Sequence, residues 1–262
     1  MTSNAAESVL VGVDFTAEWL RVLLTTEEGR PVHEGAWALP PLEDEDAWSW
    51  DVGGRSAALF ADEGHRRWAL AIVVAAPGSV EPVAGRLLRC AAQPAWDGLS
   101  VVDALRRHIG APIATENRII TSLLAECWSG AAAGSDDVLY VSLRGEPSAA
   151  LLVGGRPLRG AHFEAGALAA MPTLAPGAPL TDEDAEAVVG LLADAAALLD
   201  PEAVVIDAEP QHLERLVSLL QRVLDEVAPE TQAVAAELGE RAAVIGAVRM
   251  ASTLAFEGQR KP

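Results

Sequence analysis

The chain has 262 residues, half of them apolar and 22% charged, which is the make-up of a folded globule with room for one large domain or two lobes. A formal charge of −19 argues against a nucleic-acid or anionic-membrane surface, since both need basic patches. Cys90 and Cys127 are too few for a disulfide framework or a cysteine-only zinc site, and the single lysine, Lys261, leaves no internal Schiff-base or phosphate-loop lysine. Met1 to Ser8 has no basic or apolar leader character, and the longest apolar run, Ala69 to Ala76, is of strand length. A cytoplasmic location is expected.

In chain order, Val9–Asp14, Trp19–Thr26 and Arg30–Leu39 are three short runs joined by tight turns, the pattern of an antiparallel meander. The spacing predicts a helix over Trp48–Ala61 and a buried strand over Trp68–Ala76, stopped by Pro77-Gly78. A helix over Ser100–Ile109, a strand over Pro112–Thr115 and a helix over Glu116–Ala131 follow. A second meander is read at Asp137–Leu143, Ser148–Val153 and Arg156–Leu158, with Gly154-Gly155 as a hairpin signal. Thr181 is the expected N-cap of a helix to Leu199, with Asp184 three residues on. The rest alternates: strand Ala203–Ile206, helix Gln211–Glu226, strand Gln232–Ala236, helix Glu240–Phe256. A meander followed by alternating strands and helices therefore occurs twice, starting near Val9 and Asp137. Two α/β lobes around a cleft are expected, with the cleft as the ligand site.

Several motifs resemble those of the ROK family (repressor, open reading frame, kinase), within the actin-like ATPase and sugar-kinase superfamily. Pro77-Gly78-Ser79-Val80 with Gly85-Arg86-Leu87 is similar to its P-G-x-V…G-x-[IL] segment, and Ala95-Trp96-Asp97-Gly98 to its W-x-G. Pro112-Ile113 with Glu116-Asn117 resembles the segment ending in N-D. Asp136 to Leu143 resembles the strand before the second phosphate loop, and Gly154-Gly155-Arg156 with Arg159 to His162 the hairpin after it. Ala243–Ala251 resembles the family's final helix. The resemblance implies a two-lobed actin-like ATPase (ribonuclease-H-like) α/β fold, with mixed central sheets, helices and a cleft. Residues 1–115 would form the N-terminal lobe and 116–239 the C-terminal lobe, with 240–262 packing back on the first.

The family holds ATP on backbone amides of two glycine-rich turns. Here the first turn reads Asp14-Phe15-Thr16-Ala17-Glu18-Trp19, without the glycines, and the second reads Arg144-Gly145-Glu146-Pro147-Ser148. Pro147 removes an amide donor, and Glu18 and Glu146 bring negative charge toward the expected phosphates. One such contact at ~4 Å costs on the order of 4 kcal/mol at an effective dielectric of ~20. The family's general base is the Asp of N-D, and here that position is Arg118, a guanidinium that cannot accept a proton. The family's G-E-x-G-H reads Gly166-Ala167-Leu168-Ala169-Ala170, and its zinc motif is absent.

The expectation from these departures is a non-catalytic pseudokinase that senses a ligand or binds a protein partner, with no catalytic residue, no metal and no cofactor. An active sugar kinase with remodelled loops, using ATP and Mg, is the alternative. A sugar or sugar-phosphate binding protein is another. Candidate ligand residues are Asp14, Asn117, Arg118, Arg144 and His162; Phe15, Thr16, Ala17, Glu18, Arg144, Gly145, Glu146 and Pro147 are the altered phosphate turns. Asn117 is also read as a helix N-cap, Arg118 and Arg144 as partners of Glu116 and Glu146, and His162 as a partly buried turn residue. The resemblance implies a homodimer. Direct DNA binding is not expected, because only eight residues precede the first strand.

Overall fold

A computed structural model of the chain describes residues 7–16, 18–39, 45–58, 67–168 and 170–259. It divides into two compact units, Met1–Thr121 with Ala243–Pro262, and Ser122–Ala242. The sequence suggested a division at 115/116; the chain crosses instead inside a helix.

In the first unit, β1 (Glu7–Phe15), β2 (Trp19–Thr25) and β3 (Pro31–Ala38) form the expected meander. Helix α1 (Glu45–Ala58) leads to β4 (Arg67–Ala76), which pairs parallel with β1. Residues 59–61 of the expected helix lie outside the described residues. A small hairpin, β5 (Ser79–Glu81) with β6 (Arg86–Arg89), precedes α2 (Val101–Arg106) and β7 (Ile113–Asn117). The sheet order is β3-β2-β1-β4-β7.

The second unit repeats this order. Helix α3 (Arg118–Ser129) carries the chain across, and β8 (Val138–Ser142), β9 (Ser148–Val153) and β10 (Arg156–Pro157) form its meander. Helix α4 (Asp182–Leu199), β11 (Ala203–Asp207), α5 (Pro210–Val227) and β12 (Gln232–Ala235) follow, in a sheet ordered β10-β9-β8-β11-β12. Helix α6 (Ala242–Gln259) returns to the first unit. Among the described residues, no helix is long and apolar enough to cross a membrane.

The period of two along β1 sets the core of the first unit. Val9, Val11, Val13 and Phe15 face Trp48 and Val52 of α1 and Val101, Val102 and Leu105 of α2. Leu10 faces the other way, onto Val244, Ala247 and Val248 of α6. With both faces covered, β1 and β4 read as continuous apolar runs. The second helix contact is close: a Cβ at Gly12 would stand 2.5 Å from the Val244 carbonyl, and one at Gly246 1.9 Å from the Thr121 carbonyl.

Two differences from the sequence reading bear on the site. Glu116 and Asn117 belong to β7, where they pair with Ala75 and Ala76 of β4, so the helix begins at Arg118 rather than Glu116. The β5–β6 hairpin was not anticipated, because strands of three and four residues are too short to display alternation.

Replacing Gly246 by alanine forces backbone apart, and a loss of about 1–3 kcal/mol in urea denaturation is expected. Gly190, in α4 with nothing near its Cβ position, is the control. Gly190→Ala should gain up to ~1 kcal/mol from helix propensity.

Candidate functional site

Open α/β sheets bind ligands beyond the carboxyl ends of their parallel strands. In each unit, that edge carries a buried aspartate bonded to an arginine.

In the first unit the aspartate is Asp14, near the end of β1 and completely buried. Arg118, the first residue of α3, donates from Nε to Oδ1 at 2.7 Å and from Nη2 to Oδ2 at 3.3 Å. The Trp19 ring lies 5.9 Å from the Arg118 guanidinium and 4.7 Å from that of Arg21. Burial raises the Asp14 pKa above its usual 3.8; the nearby charges of Arg118 and Arg21 only partly offset this. Arg118 was expected to pair with Glu116, and this is corrected: the Glu116 carboxylate instead accepts from the Asn117 amide at 2.9 Å. Asn117 caps α3 as read from the sequence, its Oδ1 accepting from Ile119 N at 2.8 Å and Ile120 N at 3.1 Å. Its Nδ2 donates to the Gly78 carbonyl at 2.7 Å, tying the end of β7 to the turn after β4.

The β1–β2 turn is closed on itself. Thr16 Oγ1 accepts from Trp19 N at 3.1 Å and Glu18 N at 3.3 Å, and donates to the Trp19 carbonyl at 3.1 Å. A threonine hydroxyl therefore occupies the amides of this turn. Phe15 points into the core, stacked on Trp96 with centroids 4.6 Å apart and edge-on to Trp48 at 5.4 Å. Glu18 is exposed, and Ala17 lies outside the described residues.

In the second unit the aspartate is Asp207, the last residue of β11, 5% exposed. Its Oδ2 accepts from Tyr140 Oη at 3.2 Å and Ser142 Oγ at 3.3 Å, and its Oδ1 from Arg144 Nε at 2.7 Å. Arg144 was expected to pair with Glu146. The correction has a simple cause: Glu146 is exposed in the turn, whereas Asp207 stands on the neighbouring strand with its charge already desolvated. Gly145 has φ 75°, Pro147 is buried, and Ser148 Oγ donates to the Glu146 carbonyl at 3.1 Å.

His162 is exposed rather than partly buried, and among the described residues it bonds to none of these groups. The structure thus brings Asp14, Asn117 and Arg118 together in one unit and sets Arg144 on Asp207 in the other. Asp207, Tyr140 and Ser142 were missed as site residues. For Asp207 the sequence signals were its place directly after the apolar run Ala203–Ile206 and the segment Asp207-Ala208-Glu209, which stands where the family resemblance implies a glycine pair.

A concavity of about 550 Å³ in the second unit lies elsewhere, lined by Ala203 and Gln232 at the amino ends of β11 and β12. That is the wrong edge of the sheet for this chemistry. A resident divalent cation does not fit Asp14, since both carboxylate oxygens are held by a guanidinium. No cluster of three metal-ligating side chains exists among the described residues.

Comparison with known proteins gives a sequence model described as "ROK family" matching residues 12–173. A beta-glucoside kinase of Listeria monocytogenes is 33% identical over 107 residues, 41% of this chain. That match covers 36% of the kinase, so the chain spans about a third of the curated relative's length. A ROK glucokinase from Streptomyces griseus, solved with glucose and AMPPNP, superposes with a TM-score of 0.72 at 21% identity, covering 94% of this chain and 99% of that one. A ROK transcriptional regulator, a homologue of the E. coli MLC protein, gives a TM-score of 0.78 at 14% identity, covering 96% and 79%. These likenesses establish the two-lobed sugar-kinase fold expected from the sequence.

The non-catalytic expectation is overturned by these comparisons, because the sequence relative is a kinase. Its physical weakness is visible too. Loss of glycines was equated with loss of phosphate-binding capacity, although the turn retains a candidate ligand side chain in Arg144.

Asp14 yields a prediction with a definite sign. A carboxyl whose folded pKa is raised contributes stability below its unfolded pKa and loses that contribution as pH climbs through the folded value. Compared with Asp14→Asn, the parent should therefore lose stability from pH 3.8 upward until Asp14 is fully ionised. Urea denaturation of both proteins at stepped pH measures it; parallel curves would contradict it.

Proposed function

The chain belongs to the ROK family, and from that premise we propose that it is an ATP-dependent sugar kinase with remodelled phosphate turns. Its acceptor would be a hexose or β-glucoside hydroxyl. The observation that carries this reading is the 33% identity to a beta-glucoside kinase. The grouping of polar side chains at the carboxyl edges of both sheets supports it, because that is where such a fold can hold a donor and an acceptor.

In this reading the acceptor oxygen attacks the γ-phosphorus, the bond to the β-phosphate oxygen breaks, and ADP leaves. The transition state is loose, so positioning and charge stabilisation carry most of the catalysis. Arg118 cannot take the hydroxyl proton, which leaves late, to a phosphoryl oxygen or water. Arg118 instead keeps Asp14 fixed and adds positive charge at the end of β1. Asn117, locked through both ends of its amide, keeps the turn at Gly78 in place beside it. Magnesium would arrive on the phosphates of the nucleotide.

The test is a coupled assay of ADP release by the purified chain with Mg·ATP and a panel of hexoses and β-glucosides. Sugar-dependent release is the expected outcome; none with any sugar would sink the proposal. Thr16→Gly returns two amides to the β1–β2 turn, and should lower the KM for ATP while leaving that for the sugar unchanged.

A further inference from the structure

Among the described residues of the second unit, one buried side-chain nitrogen or oxygen has no hydrogen-bond partner. It is Nδ1 of His212, in the first turn of α5 and 3% exposed. The other ring nitrogen, Nε2, lies 2.8 Å from the Ala178 carbonyl. A carbonyl oxygen only accepts, so Nε2 carries the hydrogen and Nδ1 presents a lone pair that meets no donor. A buried acceptor left in this state opposes the arrangement that buries it.

That arrangement is a loop, residues 175–180, fastened along one side of α5. It runs from the core residue Leu174 to Thr181, the cap of α4. The Glu209 carboxylate accepts from the Gly177 amide at 3.3 and 3.2 Å, His212 donates to the Ala178 carbonyl, and Arg215 donates to the Leu180 carbonyl at 2.8 Å and pairs with Asp182. Positions 209, 212 and 215 recur every three residues, so the loop follows the first two turns of the helix. These fastenings are polar, while Ala175, Pro176, Gly177 and Pro179 are exposed. A segment held mainly by surface hydrogen bonds opens more readily than the core it crosses.

Glu209 shows the same tension. It is the N-cap of α5, yet its side chain caps no amide of that helix, because the carboxylate is turned onto Gly177 and the Gln211 side chain. The helix begins three residues after Asp207, on the carboxyl edge of the second sheet, where open α/β sheets take up ligands. With the loop down, a helix start on the ligand side lacks its cap and an acceptor below lacks a donor. Lifting the loop gives Nδ1 to water and frees Glu209.

We propose that residues 175–180 are a gate on this edge, latched by Glu209, His212 and Arg215, which lifts when the nucleotide is taken up; for the identity of that ligand the gate rests on the kinase reading. The nucleotide shifts the balance by binding the open form better than the latched one.

Two measurements on the full chain test the gate. Hydrogen exchange read by mass spectrometry follows the loop. Glu209→Ala with Arg215→Ala should speed exchange across residues 175–182 by about tenfold or more and leave β11 protected. In the parent, saturating Mg·ATP should speed exchange of the same segment. Stopped-flow mixing with Mg and a fluorescent ATP analogue follows entry, and the double variant should associate about tenfold faster than the parent. Arg215→Gln alone, at an exposed side chain, is the milder variant and should move both rates in the same direction. An association rate that is unchanged or slower once the loop is loosened overturns the gate, and so does loop exchange that ignores the substitutions. Sugar-dependent ADP release with equal entry rates in parent and variant sinks the gate and leaves the kinase reading standing. Faster entry in the variant, without transfer to any sugar, does the reverse. Binding of the analogue by neither protein removes both.

Discussion

The buried ion pair between Asp14 and Arg118 is the constraint around which the first unit's edge is arranged. A carboxylate with no exposed surface must be neutralised or protonated. The guanidinium supplies the charge through two hydrogen bonds, but it does not fully compensate for the loss of water, so the pKa stays high. Arg118 can reach Asp14 because β7 ends one residue earlier and Asn117 turns the chain into α3. Cap, strand end and ion pair are thus a single local solution. Each piece fixes where the next can be.

The second unit solves a related problem with the same chemistry on a different strand. Asp207 ends β11, whereas Asp14 lies on β1, and the two arginines come from a helix start and a turn. The pairs are therefore not copies made by the repeated topology. They share a location, the carboxyl edge of parallel strands, where backbone pairing has ended and polar side chains can leave the apolar layers. The layers below are ordinary. Val9, Val11 and Val13 fill one face of the first sheet, and Val204 and Ile206 do so in the second.

The remodelled turns separate two things that a motif treats as one. A glycine-rich loop offers amides and the space to approach them. In the β1–β2 turn the amides are taken by Thr16 Oγ1, while in the β8–β9 turn they stay without acceptors although only one glycine remains. Counting glycines equates the two turns; following each donor to its acceptor distinguishes them. A chain lacking the usual motif nonetheless belongs to the ROK family and shares the fold of its solved members.

By itself the sequence determined the doubled meander and most of the later elements, because the short apolar run Val9–Asp14, ending in an acid, and helical spacing in Ile119–Leu124 are local signals that burial obeys. It also determined the caps at Thr181 and Asn117, where one side chain serves amides two or three residues away. Only the tertiary structure decided which acid each arginine meets. Arg118 bypassed Glu116 for Asp14, 104 positions away, and Arg144 bypassed Glu146 for Asp207, 63 positions away. For Arg144 the physical reason is desolvation: Glu146 is exposed and already satisfied by water, while buried Asp207 gains far more from the same cation; Glu116 is itself buried, and its carboxylate accepts from the Asn117 amide. Burial of that kind is set by how strands stack, which no window of sequence contains.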